Sequence, residues 1–115
     1  CVDNERDILS GMESLLSRWG CQVDVAEDLE DVVSLLEGGL RPDAILSDYH
    51  LAPSLTGLDV LQRCREMLGE EFVGAIITAD RTVDTRTLIR DLGFGYIAKP
   101  VKPLKLRALL QPKAN

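Results

Sequence analysis

Apolar residues recur at three-and-four spacing through Ile8, Leu9, Met12, Leu15, Leu16 and Trp19, the period of a helix with one buried face, and Gly20 follows where a C-terminal cap belongs. A short apolar entry, Cys1-Val2, precedes this helix as the end of a strand. The plan then repeats. Residues 22–25 read as a second strand, Asp28 as an N-cap, and Leu29, Val32, Val33 and Leu36 as a helix face ending at Gly38-Gly39. Residues 43–47, entered from Pro42, give a third strand. A loop with Pro53 and Gly57 leads from it into a helix carrying Leu58, Leu61, Cys64 and Leu68. Residues 73–77 are continuously apolar, as suits a parallel strand covered on both faces. A helix over 83–92 follows with a weaker stripe at Val83, Leu88, Ile89 and Leu92. The last unit is a strand over 94–98 and, after Pro103, a helix marked by Leu104, Leu106, Leu109 and Leu110. All these stripes read as core.

Five strand-helix units in succession predict the α/β class: a single doubly wound (βα)5 parallel sheet of the flavodoxin-like kind, with strand order two-one-three-four-five and helices on both faces. The chain has 115 residues, enough for one core and too few for two ordinary domains, so residues 1–115 are expected to form one domain. The abrupt start at Cys1-Val2-Asp3 reads as a strand whose beginning belongs to a longer protein.

Composition narrows the function classes. A formal net charge of −6 argues against a nucleic-acid footprint, which needs clustered Lys and Arg. Three cysteines, Cys1, Cys21 and Cys64, have no C-x-x-C spacing, so neither a disulfide framework nor a zinc site is expected; Cys21 and Cys64 read as small buried hydrophobes. No apolar run reaches membrane-spanning length, and the first residues lack the charged start and apolar stretch of a signal peptide. The expectation is a cytoplasmic domain without direct membrane contact, whatever anchors its parent chain.

In open α/β sheets, ligands sit outside the carboxyl ends of the strands. Those ends carry Asp3-Asn4-Glu5, Ser47-Asp48, Thr78-Ala79-Asp80 and Lys99-Pro100. Any one of them alone is an ordinary strand end meeting water or an ordinary helix start. Together they bring two carboxylates, an amide, a hydroxyl and an ammonium to one cleft. Clustered carboxylates are relieved by a hard cation, and one or two carboxylates with waters and a phosphate are typical of magnesium. A carboxylate is also a nucleophile toward phosphorus, and phosphoryl transfer asks the protein mainly to position groups and neutralise charge.

On these motifs the chain resembles, over essentially its whole length, the receiver domain of two-component signalling proteins. The resemblance implies that Asp48 is the phosphoacceptor, with Thr78 and Lys99 completing the catalytic set. Asp3, Asn4, Asp48 and the backbone carbonyl of His50 would form the site for Mg2+ or Mn2+. Thr78 and Tyr96 would be the switch pair, and the Lys99-Pro100 peptide would be cis. It further implies a histidine kinase domain as partner, in cis or in trans, or a histidine phosphotransfer protein. A receiver itself only assists its own phosphorylation and dephosphorylation. Residues 3–5, 48–51 and 99–103 look especially like receivers at the carboxyl end of hybrid sensor histidine kinases.

Two departures stand out. Asn4 replaces the usual second acid, which is expected to weaken metal binding, and the 49–57 loop is one residue longer than the usual form. His50 is the only histidine; it reads as an exposed loop side chain rather than a phosphoacceptor or base, because it follows a strand rather than sitting on a helix. The rival readings are a pseudo-receiver that binds partners without phosphate turnover and an aspartyl-phosphate hydrolase. The hydrolase reading lacks a second acid where His50 stands and has no room for a capping domain. A flavin or nucleotide site lacks a Gly-rich loop after the first strand.

Overall fold

The computed structural model describes residues 1–110. Helix α1 spans Arg6–Arg18, α2 Leu29–Glu37, α3 Gly57–Leu68, α4 Val83–Asp91 and α5 Pro103–Leu110. The strands are β1 Ala44–Asp48, β2 His50–Ala52, β3 Leu55–Thr56, β4 Val73–Thr78 and β5 Gly95–Ala98.

Strands β1, β4 and β5 pair in that order, all parallel, with Asp48 beside Ile77 and Thr78 beside Ala98. The expected first and second strands are reduced to single bridges: Val2 pairs in parallel with Ser47 on one side and Ala26 on the other. Four backbone bonds hold Val2 and its neighbours there, among them Val2 N–H to the Leu46 carbonyl at 2.8 Å and Asp48 N–H to the Val2 carbonyl at 2.9 Å. Residues 22–25 do not form the strand expected of them. Gln22 and Asp24 are exposed, and only the next residue, Ala26, is buried and bridged to Val2, so the contact with the sheet is confined to that one position.

Alternation along the strands sorts the core into two layers. Ile45 and Ile76 face one side with Val32, Leu36, Leu61, Cys64 and Ile89, whereas Leu46 and Ile77 face the other with Met12, Leu16, Ile97 and Leu106. Thus α2, α3 and α4 cover one face, and α1 and α5 the other. The continuous apolar run of β4 is buried from Gly74 onward, as two-sided cover requires.

Helix ends follow the sequence signals closely. The Asp28 carboxylate accepts from Asp31 N–H as an N-cap. Gly20, at φ 87°, ends α1 with its N–H on the Ser17 carbonyl while Cys21 N–H reaches Leu16, the paired bonds of a Schellman motif.

Several expected core positions are outside. Ile8, Leu88, Val83 and Leu104 are 42%, 46%, 74% and 84% exposed. In α4 only Ile89 is buried: the helix touches the sheet along one narrow line, and its remaining apolar residues flank that line. Leu104, the second residue of α5, lies before that helix reaches the sheet at Leu106. Cys21, expected inside, is exposed just past the end of α1, whereas Cys64 is buried and its thiol is pushed up to about 11 by desolvation.

Candidate functional site

The carboxyl end of β1 delivers Asp48 into the cleft, and its neighbours fix the backbone from which it projects. Ser47, fully buried, donates its hydroxyl to the Asp48 carbonyl at 3.0 Å. Gly57, the first residue of α3, lies so close that a β-carbon there would stand 2.3 Å from the same carbonyl oxygen and 2.9 Å from Ser47 Oγ. Only glycine permits that approach. Its N–H donates to the Tyr49 carbonyl at 2.7 Å. The helix it opens is locked by a capping box, with Thr56 Oγ1 accepting from Asp59 N–H and the Asp59 carboxylate accepting from Thr56 N–H.

Lys99, at the end of β5, places its ammonium 2.6 Å from Asp48 Oδ1. Burial lowers the affinity of that ammonium for its proton, yet the bond to Asp48 and the charges of Asp48, Asp3 and Glu5 outweigh it, leaving the Lys99 pKa raised. Asp3 is buried, with Oδ1 accepting from Glu5 N–H at 2.9 Å. Desolvation holds its pKa above the usual carboxylate value; the Glu5 N–H opposes this, the negative charge of Asp48 adds to it, and Lys99 partly offsets it. Asp3, Asp48 and Lys99 line a cavity of about 360 Å³ together with Asp7, Gly11 and Met12 of α1 and with Val101, which precedes α5. The Lys99-Pro100 peptide is cis, as the resemblance implied.

Two other expected members lie on β4 and β5. Thr78 is buried, and its Oγ1 accepts from Asp80 N–H at 3.1 Å. The half-buried Tyr96 donates its hydroxyl to the Asp80 carbonyl at 2.9 Å, and the Arg86 guanidinium lies 5.3 Å from its ring centre. Tyr96 is therefore joined to Thr78 through the backbone of Asp80. The Asp80 carboxylate, lowered in pKa chiefly by the Thr82 N–H and then by the Thr85 hydroxyl, is engaged within its own loop.

Asn4 directs its amide to the Leu51 carbonyl at 3.0 Å. His50 is exposed as expected, but it lies in a short strand: β2 and β3 form an antiparallel hairpin across what had been read as plain loop, with the register slipping between His50 and Ala52. The His50 ring packs edge-on against Tyr49, with centroids 4.8 Å apart.

Two of the donors expected for a hard cation, the Asp3 and Asp48 carboxylates, share the cavity; the Asn4 side-chain oxygen and the His50 carbonyl could complete such a set, and a cation would offset the repulsion of the negative charge of Asp48 on Asp3. Among the described residues no group of three or more His, Cys, Asp or Glu side chains forms an all-side-chain metal cage, and a cation that keeps several waters does not require one.

Sequence reasoning missed Gly57 as a site residue, together with Ser47 and Arg81, whose Nη2 donates to the Lys99 carbonyl at 3.0 Å. A signal for Gly57 was present. Thr56-x-x-Asp59 marks a helix start, and a glycine just inside it has no propensity reason to be there. Nothing in the sequence points to Arg81.

The model of the response regulator receiver domain family matches residues 1–111. A 14.6 kDa uncharacterised protein encoded in the sodA1 3′ region of Leptolyngbya boryana is 33% identical over 112 residues, covering 96% of this chain and 84% of that protein. The transcriptional regulatory protein DltR of Streptococcus agalactiae is 34% identical over 111 residues, 96% of this chain but 48% of DltR, so the chain spans about half of that relative. Among solved structures, the chemotaxis protein CheY4 of Vibrio cholerae superposes with a TM-score of 0.83 at 23% identity, over 96% of this chain and 92% of CheY4. A response regulator receiver domain protein of Clostridium thermocellum gives 0.82 at 24%, over 94% and 86%. At such identities the two structures speak for the fold alone. The α/β receiver fold, the carboxylate-ammonium cleft and the family match over nearly the whole chain agree: the chain belongs to the response regulator receiver domain family of two-component signalling.

Proposed function

We propose that this domain accepts a phosphoryl group from a phosphohistidine onto Asp48 and uses the acyl phosphate to change its partner-binding surface. The observation that carries the reading is the Asp48 carboxylate, at the buried end of β1, with the Lys99 ammonium 2.6 Å from Oδ1 and the Asp3 carboxylate in the same cavity. In the step proposed, an Asp48 carboxylate oxygen attacks phosphorus, the bond from phosphorus to the donor imidazole nitrogen breaks, and Lys99 neutralises charge on a phosphoryl oxygen. Mg2+ or Mn2+, held by Asp3, Asp48, the Asn4 oxygen and the His50 carbonyl, would supply charge neutralisation and orientation.

The switch follows from connectivity. A phosphoryl oxygen on Asp48 offers the Thr78 hydroxyl a stronger acceptor, and turning Thr78 toward it withdraws Oγ1 from Asp80 N–H. Asp80 also carries the carbonyl that holds Tyr96, so the change reaches α4 and β5. Only the difference in stability between the two arrangements matters, and one hydrogen bond on either side is enough to bias it.

The donor is a histidine kinase domain, in cis or in trans, or a histidine phosphotransfer protein. A place at the carboxyl end of a hybrid kinase rests on the likeness of residues 3–5, 48–51 and 99–103 to such receivers, and a cytoplasmic site rests on the chemistry of that donor. Among the described residues no helix is long and apolar enough to cross a membrane.

The test is intact mass after incubation with magnesium and acetyl phosphate, for the wild type and Asp48→Asn. The expected result is a gain of one phosphoryl group that requires magnesium and is absent in the variant. A folded wild type that gains nothing at high magnesium contradicts the proposal and favours the pseudo-receiver.

A further inference from the structure

Asn4 and the long loop after Asp48 were two separate departures from the family pattern; the structure puts them in contact. In the β2–β3 hairpin His50 pairs with Thr56 and Ala52 with Leu55, so Leu51 has no opposite number and is the residue by which β2 is longer than β3. Its side chain is buried in the core with Leu58 and Val60. A bulge of this kind leaves the backbone of the extra residue outside the ladder, where its carbonyl needs another donor. The Asn4 amide, 47 residues away in sequence, donates to that carbonyl at 3.0 Å. An aspartate at this position would set a carboxylate oxygen against a carbonyl oxygen, two acceptors without a proton between them.

We propose that Asn4 and Leu51 form a matched clamp: the bulged residue presents a carbonyl that an amide at position 4 holds and an ionised carboxylate cannot, and the bond fixes the hairpin, with the His50 carbonyl one residue away, before any cation arrives. Asn4 is then a positioning residue whose nitrogen serves the hairpin, leaving only its oxygen for a hydrated cation. An amide at position 4 therefore has a structural use in the hairpin that an ionised carboxylate would lack. The role of the His50 carbonyl rests on the reading of Asp48 as a metal-assisted phosphoacceptor, whereas the clamp itself does not.

The experiment measures amide hydrogen exchange in magnesium-free protein for the wild type, Asn4→Ala and Asn4→Asp, followed by magnesium titration read from the backbone amide chemical shifts of Asp3 and Asp48. Both variants are expected to speed exchange in residues 49–57 by about 2- to 10-fold, the range set by loss of one neutral hydrogen bond, with β4 and β5 unchanged. Asn4→Asp is expected to bind magnesium about 5-fold tighter through its added charge, and Asn4→Ala no tighter than wild type. Unchanged hairpin exchange in Asn4→Ala overturns the clamp, as does acceleration spread equally through β4 and β5. Failure to gain a phosphoryl group leaves these exchange results standing and counts only against the phosphoacceptor reading.

Discussion

Helices α3 and α4, which pack on the same face of the sheet and begin near the strand ends that carry Asp48 and Thr78, are held in opposite ways. Helix α3 buries Gly57, Leu58, Val60, Leu61 and Cys64 and is closed at its start by a capping box against the backbone of Asp48. Helix α4 buries only Ile89, exposes Val83 and Leu88, and meets the cleft through a loop tied by single polar bonds: Thr78 to Asp80, Tyr96 to Asp80, Arg81 to Lys99. Burial of apolar side chains costs several kcal/mol to undo, whereas a neutral hydrogen bond contributes about 1 kcal/mol. The α3 side, next to Asp48, is therefore built to stay, and the α4 side to move at small cost.

Leu61→Ala should break the contrast most severely. Leu61 is wholly buried, so about 2–5 kcal/mol of stability is expected to be lost in urea denaturation, while Leu88→Ala in α4 should change it by less than about 0.5 kcal/mol. Equal losses would show that the two helices are held alike. Gly57→Ala follows, at about 3 kcal/mol, because its β-carbon meets the Asp48 carbonyl, a backbone atom that cannot step aside cheaply.

Asp3→Asn sharpens the comparison through pH. The folded-state pKa of Asp3 is raised, chiefly by desolvation, so across the window from the ordinary carboxylate value up to the raised one the folded state binds more protons than the unfolded, and stability from this group falls as pH rises. Without metal, Asp3→Asn is expected to melt higher than wild type at pH 7, the difference shrinking as pH drops into the carboxylate range. Lys99 has the same sign in a higher window: its raised pKa gives stability that is complete below about 10.4 and is lost as pH rises through the folded value. Tyr96→Phe should have a small and local effect, about 1 kcal/mol or less, seen as faster amide exchange confined to the loop between β4 and α4.

What could be read from the sequence divides along the same line. Asp48, Thr78 and Lys99 were legible because strand ends in a doubly wound sheet converge on one cleft and each residue type has a chemical reason to be there; the structure places Asp48 and Lys99 in contact and Thr78 on the adjoining strand. The caps at Asp28 and Gly20 were legible because local backbone chemistry sets them. The stripes on α4 and α5 were less so: apolar spacing shows that a helix has a face but not how deeply it is pressed, and Val83 and Leu104 proved exposed. The hairpin at β2 and β3 was invisible because Ala52-Pro53-Ser54 reads as loop whether or not the flanking residues pair. The Asn4 and Leu51 contact spans too much sequence for any local pattern to reveal.

The most direct test of the account is borohydride trapping of protein treated with magnesium and acetyl phosphate, followed by peptide mass mapping. Borohydride reduces an acyl phosphate to the alcohol, so the account predicts that Asp48, and no other acid, is converted to homoserine. Reduction at Asp3 or Asp80, or at no carboxylate in a protein that has gained a phosphoryl group, would contradict it.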